Sequence, residues 1–162
     1  MDKFVIRTPR NPISKDPEKV LESVFSLEKF RGNQKEIIES VLAKKDVVVF
    51  MQTGGGKSLT YQLPAIMDVG VTLVVSPLLA LIQNQVDQLL SLKIKAASLN
   101  STVKKKEKDA ILKDLDSKTP LTKLLYVTPE LLATDAFRNV MDKLYASGHY
   151  ARLVIDEAHC IR

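Results

Sequence analysis

Short apolar runs alternate with amphipathic stretches along most of this chain. A continuous apolar run of strand length predicts a strand buried on both faces, whereas apolar residues three and four apart predict a helix. Five strands are predicted in this way, at residues 46–51, 71–75, 93–99, 123–127 and 152–156. Predicted helices separate the strands, so the chain is expected to be an α/β protein, with a parallel sheet that carries helices on both faces.

The helices are predicted from their apolar spacing and from the residues at their ends. Asp16 and Pro17 suit the N-cap and the first position of one helix. Asn33, followed by Glu36, resembles a capping box at the start of a second helix. Further helices are predicted to run to about residue 67, to open at Ser76-Pro77 and at Thr128-Pro129, and to cover about residues 102–116.

Composition limits the class of protein. The 162 residues, 45% of them apolar, suffice for one compact domain, and the net charge of +5 is compatible with a polyanionic partner. Cys160 is the single cysteine, which excludes an internal disulfide and a multi-cysteine zinc site, and we interpret it as a small buried side chain. No apolar run is long enough for a signal peptide or a membrane span, so the protein is expected to be soluble and intracellular.

Two polar segments and one histidine stand outside this alternation. Residues 1–15, which contain prolines and basic residues, are expected to form a flexible basic arm before a domain at residues 16–162. The lysine-rich segment 104–109 is interpreted as a solvated helix face in preference to a DNA-binding patch. His149 is interpreted as a surface residue.

The sequence TGGGKS, residues 53–58, lies between predicted strand 46–51 and a predicted helix. Glycines without side chains allow a backbone to wrap a triphosphate, and this setting is typical of a phosphate-binding loop. The N–H groups available for the phosphates belong to Gly54, Gly55, Gly56 and Lys57, preceded by Thr53. Lys57 would add a cation and Ser58 a hydroxyl ligand for Mg²⁺. Met51 replaces the first glycine of the longer motif, and the competing interpretation is a glycine-rich turn beside an unrelated lysine.

A second polar group, DEAH, follows the last predicted strand. Asp156 is expected at the carboxyl end of that strand, where open α/β sheets bind ligands, and could hold Mg²⁺ through its water shell. Glu157 is the candidate base that deprotonates the attacking water. His159 is either a polar residue at a helix start or a group that couples to the γ-phosphate, and coupling is favoured.

These motifs, in this order and spacing, resemble the RecQ family of superfamily 2 DNA helicases. The matching segments are FSLEKFRGNQ, TGGGKS, VVSPLLALIQNQVDQL, SLNST, YVTPE and DEAHC. The resemblance implies a RecA-like P-loop NTPase fold and an ATP- and Mg²⁺-dependent enzyme that unwinds DNA 3′→5′ in repair and recombination. It also implies that Gln34 reads the adenine edge and that Arg31 lies against the ring. Leu27 stands where the family often has an aromatic residue.

The resemblance further implies contacts to single-stranded or forked DNA. The residues concerned are Ser76, Pro77, Asn100, Ser101, Thr128 and Glu130. Free N–H groups where a strand ends and a helix begins can bind phosphate. Each residue taken alone is better explained as a helix cap, and it is the array that favours DNA contact. Contacts to the DNA backbone carry no base code, so binding independent of sequence is expected.

The family pattern extends beyond DEAHC, to a further motif, a second lobe with an arginine finger, and zinc and winged-helix modules. The sheet is therefore expected to be incomplete at its C-terminal side, with unpaired apolar edges at 46–51 and 152–156. Two alternatives stay open: a nucleotide- and DNA-binding fragment without turnover of its own, and another P-loop enzyme such as a small-molecule kinase. The expected location is the nucleus in a eukaryote, or the cytoplasm and nucleoid in a bacterium.

Overall fold

The computed structural model describes residues 14–52 and 54–160. These residues fall into two compact units, one within Pro9–Val69 and the other within Gly70–Arg162. Most of the predicted basic arm (residues 1–13) and Thr53 lie outside the described residues.

The first unit contains three helices, α1 (Pro17–Phe25), α2 (Gln34–Leu42) and α3 (Leu59–Met67). Asp16 caps α1 as predicted, because its Oδ1 accepts a hydrogen bond of 3.0 Å from the Glu18 N–H. The three helices share an apolar core formed by Val20, Leu21, Ile38, Leu59, Leu63 and Met67. This core places the start of α2 and the start of α3 in the same small unit.

The predicted capping box at the start of α2 is wrong. Asn33 precedes the helix but makes no capping hydrogen bond with its side chain. Its φ of −96° and ψ of 16° differ from the extended conformation that aims an N-cap side chain at the first-turn N–H groups. The side chain of Gln34 forms the local hydrogen bond instead, accepting from the Arg31 N–H.

The predicted buried strand at residues 46–51 is also wrong. The segment has no regular secondary structure, and Val48 and Phe50 are 81% and 93% exposed. An extended segment becomes a strand only when another strand supplies hydrogen-bond partners. The described elements of this unit are helices, so no strand within it pairs with residues 46–51.

The second unit is built on a parallel sheet in the order β2-β3-β1-β4. Its strands are β1 (Val71–Val75), β2 (Ala96–Leu99), β3 (Leu124–Val127) and β4 (Tyr150–Ile155). The helices of this unit are α4 (Leu79–Ser91), α5 (Lys105–Leu115), α6 (Pro129–Leu132) and α7 (Asp135–Ala146). A 3₁₀ turn, Ala158–Cys160, follows β4. The prediction of an α/β fold with a parallel sheet is confirmed.

Both faces of the central strand β1 are buried. Val71, Leu73 and Val75 pack against residues of α5 and α7, including Leu115 and Phe137. Thr72 and Val74 point to the opposite face, because successive side chains alternate, and they are buried as well. The register levels the ends of the four strands, with Leu99 beside Val127, Val127 beside Val75, and Val75 beside Ile155. The carboxyl ends of all four strands therefore lie at the same side of the sheet, which is called its carboxyl edge.

The boundaries of several elements differ from the prediction. Helix α4 begins at Leu79 and not at Ser76-Pro77, and β2 is limited to Ala96–Leu99. The helix predicted after Thr128 is divided into α6 and α7, where Thr134 accepts a hydrogen bond of 3.2 Å from the Phe137 N–H and caps α7. Strand β4 ends the sheet in the described part of the chain, and Leu153 and Ile155 are 47% and 46% exposed. An apolar edge at 152–156 was therefore correctly predicted.

The exposure of Phe50 generates a stability prediction. We expect Phe50→Ser to change the free energy of unfolding of this chain by no more than about 0.5 kcal/mol, because the ring contacts little. Leu63→Ala, in the buried core of the same unit, should cost about 2–5 kcal/mol. Urea unfolding of both variants measures the two changes. A loss of several kcal/mol at Phe50 would show that residues 46–51 form a buried strand.

Candidate functional site

The glycine loop turns tightly at two of its three glycines. Gly54 and Gly56 have φ values of +81° and +78°, in the left-handed region that glycine adopts without strain. The Gly55 N–H donates to the carbonyl oxygen of Gln52 at 3.0 Å. This N–H, one of the four predicted to bind phosphate, is therefore used inside the loop and must be released before it can contact a ligand.

The end of the loop leads directly into α3. The carbonyl oxygen of Lys57 accepts from the N–H of Thr60 at 3.0 Å and from its hydroxyl at 2.5 Å, which fixes the first turn. Ser58 occupies the N-cap position, but its φ of −59° and ψ of −35° are helical and its side chain makes no capping bond. The Ser58 hydroxyl is therefore not consumed by the helix and can serve as a ligand for a cation.

Gln34 connects the loop with the segment before α2. Its side chain, 3% exposed, accepts a hydrogen bond of 2.8 Å from the Arg31 N–H through Oε1. Its Nε2 donates to the carbonyl oxygen of Gly56 at 3.0 Å. A glutamine amide has two donor hydrogens and two acceptor lone pairs, so one of each remains for a further partner. The structure thus brings two predicted nucleotide-binding groups, Gln34 and the glycine loop, into direct contact.

The contact with Gln34 leaves no room for a side chain at Gly56. A Cβ built on Gly56 would collide with Nε2 of Gln34, whereas a Cβ on Gly54 would meet nothing within 4 Å. The Arg31 side chain is exposed, as contact with a bound ring would require, and Leu27 is 39% exposed. Sequence reasoning explained these glycines by phosphate access alone, and it missed the packing constraint that Gln34 adds.

The DEAH segment lies in the second unit, at the carboxyl end of β4. Asp156 is buried, its N–H donates to the carbonyl oxygen of Val75 at 2.9 Å, and its Oδ1 accepts from the Glu157 N–H at 3.0 Å. Glu157 has a φ of +53°, a conformation that costs a residue with a side chain about 1–3 kcal/mol. His159 Nε2 lies 3.3 Å from Glu157 Oε2. The strand end and the 3₁₀ turn thus hold these three side chains in one short segment.

The candidate DNA-binding residues lie along the same edge of the sheet. Asn100, Thr128, Ser76 and Asp156 directly follow β2, β3, β1 and β4, in the order of the strands across the sheet. Because neighbouring strands lie about 4.8 Å apart, these four residues span about 14 Å. The order places Asp156 at one end of the row and Asn100 at the other.

The candidate DNA-binding residues differ in exposure. Ser76 and Thr128 are buried, and the Ser76 hydroxyl oxygen has no hydrogen-bond partner in the described part of the chain. Pro77 and Asn100 are half-buried, and Ser101 and Glu130 are exposed. The Asn100 Oδ1 accepts from the Thr102 N–H at 2.9 Å and from its hydroxyl at 2.6 Å, which leaves the Asn100 amide hydrogens for a phosphate. The most accessible side-chain donors among these candidates are thus those of Asn100 and Ser101.

Two interpretations of single residues need correction. Cys160 is exposed, not buried, because it lies on the 3₁₀ turn beyond the sheet. His149 is half-buried rather than fully at the surface, and its carbonyl oxygen accepts from the Val71 N–H at 2.7 Å at the start of β1. The lysines at 104, 105, 106 and 108 are all exposed, as a solvated helix face requires.

Comparisons with known proteins identify the family. A sequence profile of the DEAD/DEAH box helicase family matches residues 31–162. The chain belongs to this family. The match includes the glycine loop and the DEAH segment, and it does not support the alternative of a small-molecule kinase.

The resemblance to RecQ helicases is also confirmed. The chain is 48% identical over 143 residues to rat "ATP-dependent DNA helicase Q5", which covers 87% of this chain and 15% of that protein. It is 47% identical over 155 residues to fission yeast "ATP-dependent DNA helicase hus2/rqh1", and 46% identical over 151 residues to Xenopus laevis "RecQ-like DNA helicase BLM". Each match covers 93% of this chain, but only 12% and 11% of those two relatives. The chain therefore spans a small part of the proteins it resembles.

No helix in the described part of this helicase-family chain is long and apolar enough to cross a membrane. Ser58 and Asp156 belong to different units, so their shared role toward Mg²⁺ stays a prediction. Thr53 lies outside the described residues.

The contact between Gln34 and Gly56 can be tested with a double-mutant cycle. We expect Gly56→Ala to lower the free energy of unfolding more than Gly54→Ala. Both variants force alanine into a positive φ, which is strained, but only the new methyl group at position 56 collides with Gln34. The excess should be about 1–3 kcal/mol, as for other overpacked sites. Adding Gln34→Ala to Gly56→Ala should remove the excess.

The matched control is Gly54→Ala combined with Gln34→Ala, which should show no such coupling. Equal costs for the two glycine variants in urea unfolding, with no recovery on removing Gln34, would contradict this contact.

Proposed function

We propose that this chain is the ATP-binding lobe of a RecQ-type DNA helicase. The whole protein would couple ATP hydrolysis to movement along single-stranded DNA and to 3′→5′ unwinding of forked duplexes during repair and recombination. One observation carries the proposal: the level ends of four parallel strands place the DEAH residues and the candidate DNA-binding residues along a single edge. Hydrolysis and DNA binding then share one rigid support.

The first unit would recognise ATP. The remaining donor and acceptor of the Gln34 amide suit the adenine edge, which offers one acceptor and one donor side by side. Because Gln34 is only 3% exposed, a local movement would have to open this amide to the base. The glycine loop and Lys57 suit the phosphates, since main-chain N–H groups and a compact cation bind anions well. Because Gln34 also holds the Gly56 carbonyl oxygen, binding of the base and the shape of the phosphate loop would influence each other.

Mg²⁺ fits the chemistry of the proposed ligands, a hydroxyl (Ser58) and a carboxylate (Asp156). When bound, this cation would neutralise charge on the phosphate oxygens during transfer to water. Glu157 would accept the proton of the attacking water. His159, 3.3 Å from Glu157, would transmit movements of the DNA-binding residues at this edge to the Glu157 carboxylate.

DNA would be held through its phosphates. The Asn100 amide hydrogens and the Ser101 hydroxyl are donors at the edge, while Glu130 offers only acceptors and suits a sugar hydroxyl or a base edge better than a phosphate. Ser76 and Thr128 are buried, and the Ser76 N–H already donates to the carbonyl oxygen of Val127 at 3.0 Å, so these two residues would contact DNA only after a local movement. Binding of this kind should not depend on base sequence, and it should weaken as salt rises.

A second candidate is binding of nucleotide and DNA without turnover by these residues alone. Apolar side chains next to the predicted site residues favour it, because Val48 and Phe50 are exposed and Leu153 and Ile155 are about half-exposed. In a eukaryote the protein would act in the nucleus, and in a bacterium in the cytoplasm and nucleoid.

Two variants separate binding from hydrolysis in the complete protein. We expect Glu157→Gln to retain ATP binding and to lower DNA-stimulated ATP hydrolysis by about 10²–10⁴, since an amide cannot take the proton of the water. Lys57→Ala should instead weaken ATP binding by about 1.5–3 kcal/mol, the value of a charge-assisted hydrogen bond. Calorimetry and a phosphate-release assay with and without single-stranded DNA measure the two effects.

The matched controls are Glu107→Gln and Lys45→Ala, which change exposed residues of the same types and should leave both measurements unaltered. Near-normal hydrolysis by Glu157→Gln would move the base to another residue. Hydrolysis by the wild-type protein that ignores DNA would argue against a helicase, and unaltered ATP affinity in Lys57→Ala would argue against the phosphate loop.

A further inference from the structure

Three different metal-binding side chains meet at the turn that follows β4. One carboxylate oxygen of Glu157, one ring nitrogen of His159 and the sulfur of Cys160 all lie within 4.8 Å of one another. Among the residues that the structure describes, no other group of three histidine, cysteine, aspartate or glutamate side chains comes this close. We infer that this cluster is a binding site for Zn²⁺ or a chemically similar soft divalent cation.

The spacing of the first two ligands suits zinc. Two ligands bound to a tetrahedral ion at about 2.0–2.1 Å lie about 3.3–3.4 Å from each other. His159 Nε2 and Glu157 Oε2 are 3.3 Å apart. The pair therefore already has the separation that coordination requires, and the Cys160 sulfur lies within 4.8 Å of a ring nitrogen and a carboxylate oxygen of these two residues.

The turn that carries the three residues is well defined. The Cys160 N–H donates to the carbonyl oxygen of Glu157 at 2.9 Å, which closes the 3₁₀ turn. The Glu157 N–H donates to Asp156 Oδ1 at 3.0 Å, and the left-handed backbone at Glu157 sets the direction of its side chain. Because the backbone of the turn is already fixed, cation binding would restrict few additional rotatable bonds, and the entropic cost of binding is low.

The chemistry of the ligands selects the cation. A thiolate, an imidazole and a carboxylate together favour Zn²⁺ over Mg²⁺, which binds oxygen ligands almost exclusively. His159 and Cys160 are exposed, so an ion can enter from solvent and keep water in its fourth position. The cluster is therefore distinct in chemistry from Ser58 and Asp156, the proposed Mg²⁺ ligands.

Zinc at this cluster would inhibit hydrolysis. A Glu157 carboxylate that is bound to a cation cannot accept a proton from water, so micromolar zinc should block turnover without displacing ATP. This consequence rests on the proposed function, whereas binding of the cation does not.

The binding test uses this chain and two probes, Co²⁺ and Zn²⁺. Co²⁺ should produce a thiolate-to-metal charge-transfer band and bind at one ion per chain, and Zn²⁺ should displace it. Cys160→Ser should abolish the band, and both Cys160→Ser and His159→Asn should weaken Zn²⁺ binding at least tenfold in competition with a chromophoric chelator. His149→Asn, which changes the other histidine, is the matched control and should bind as the wild type does.

The inhibition test uses the complete protein. Cys160→Ser should keep its ATP hydrolysis and should require at least tenfold more Zn²⁺ for half-inhibition than the wild type. Absence of the charge-transfer band, or unaltered Zn²⁺ binding in Cys160→Ser, would overturn the site. A wild-type protein that binds zinc at Cys160 but hydrolyses no ATP would retain the site and contradict the proposed function.

Discussion

The alignment of the candidate site residues depends on the parallel register of four strands. Because Leu99, Val127, Val75 and Ile155 are level with one another, the residue after each strand emerges at the same edge. Burial on both faces of β1 holds that register, since a slip by one residue would turn apolar side chains to the wrong face. Asp156 and the candidate DNA-binding residues owe their alignment to this packing and not to contacts among themselves.

A second constraint operates at the glycine loop. The Gln34 amide ties the Arg31 N–H to the Gly56 carbonyl oxygen, so the segment before α2 and the loop before α3 share one buried side chain. A buried amide of this kind is costly to leave unpaired, and it therefore keeps the loop in place. The Gly55 N–H is also satisfied inside the loop, so a ligand bound through this N–H would have to replace its hydrogen bond to Gln52.

Sequence reasoning succeeded where a local pattern determines the outcome. The strands at 71–75 and 123–127, the cap at Asp16 and the helix after the loop follow from apolar spacing and capping chemistry, and the order of motifs identified the family. It failed where the outcome depends on a partner. The run 46–51 has the composition of a buried strand, but no strand within its unit pairs with it. Cysteine is a residue type that is usually buried, but Cys160 lies on an exposed turn after the sheet. The Gln34–Gly56 contact joins residues 22 apart in the chain, and no local pattern predicts it.

The central claim is that DNA binds along the carboxyl edge of the sheet, and hydrogen–deuterium exchange tests it most directly. The amino-terminal edge of the sheet is the alternative DNA-binding surface, because Lys93, Lys95 and Lys123 lie just before β2 and β3. With saturating single-stranded DNA, exchange should slow at residues 100–105 and 128–131 and stay unaltered at residues 93–95 and 121–123. Protection of the lysine-bearing edge, with none at Asn100 and Thr128, would contradict the account.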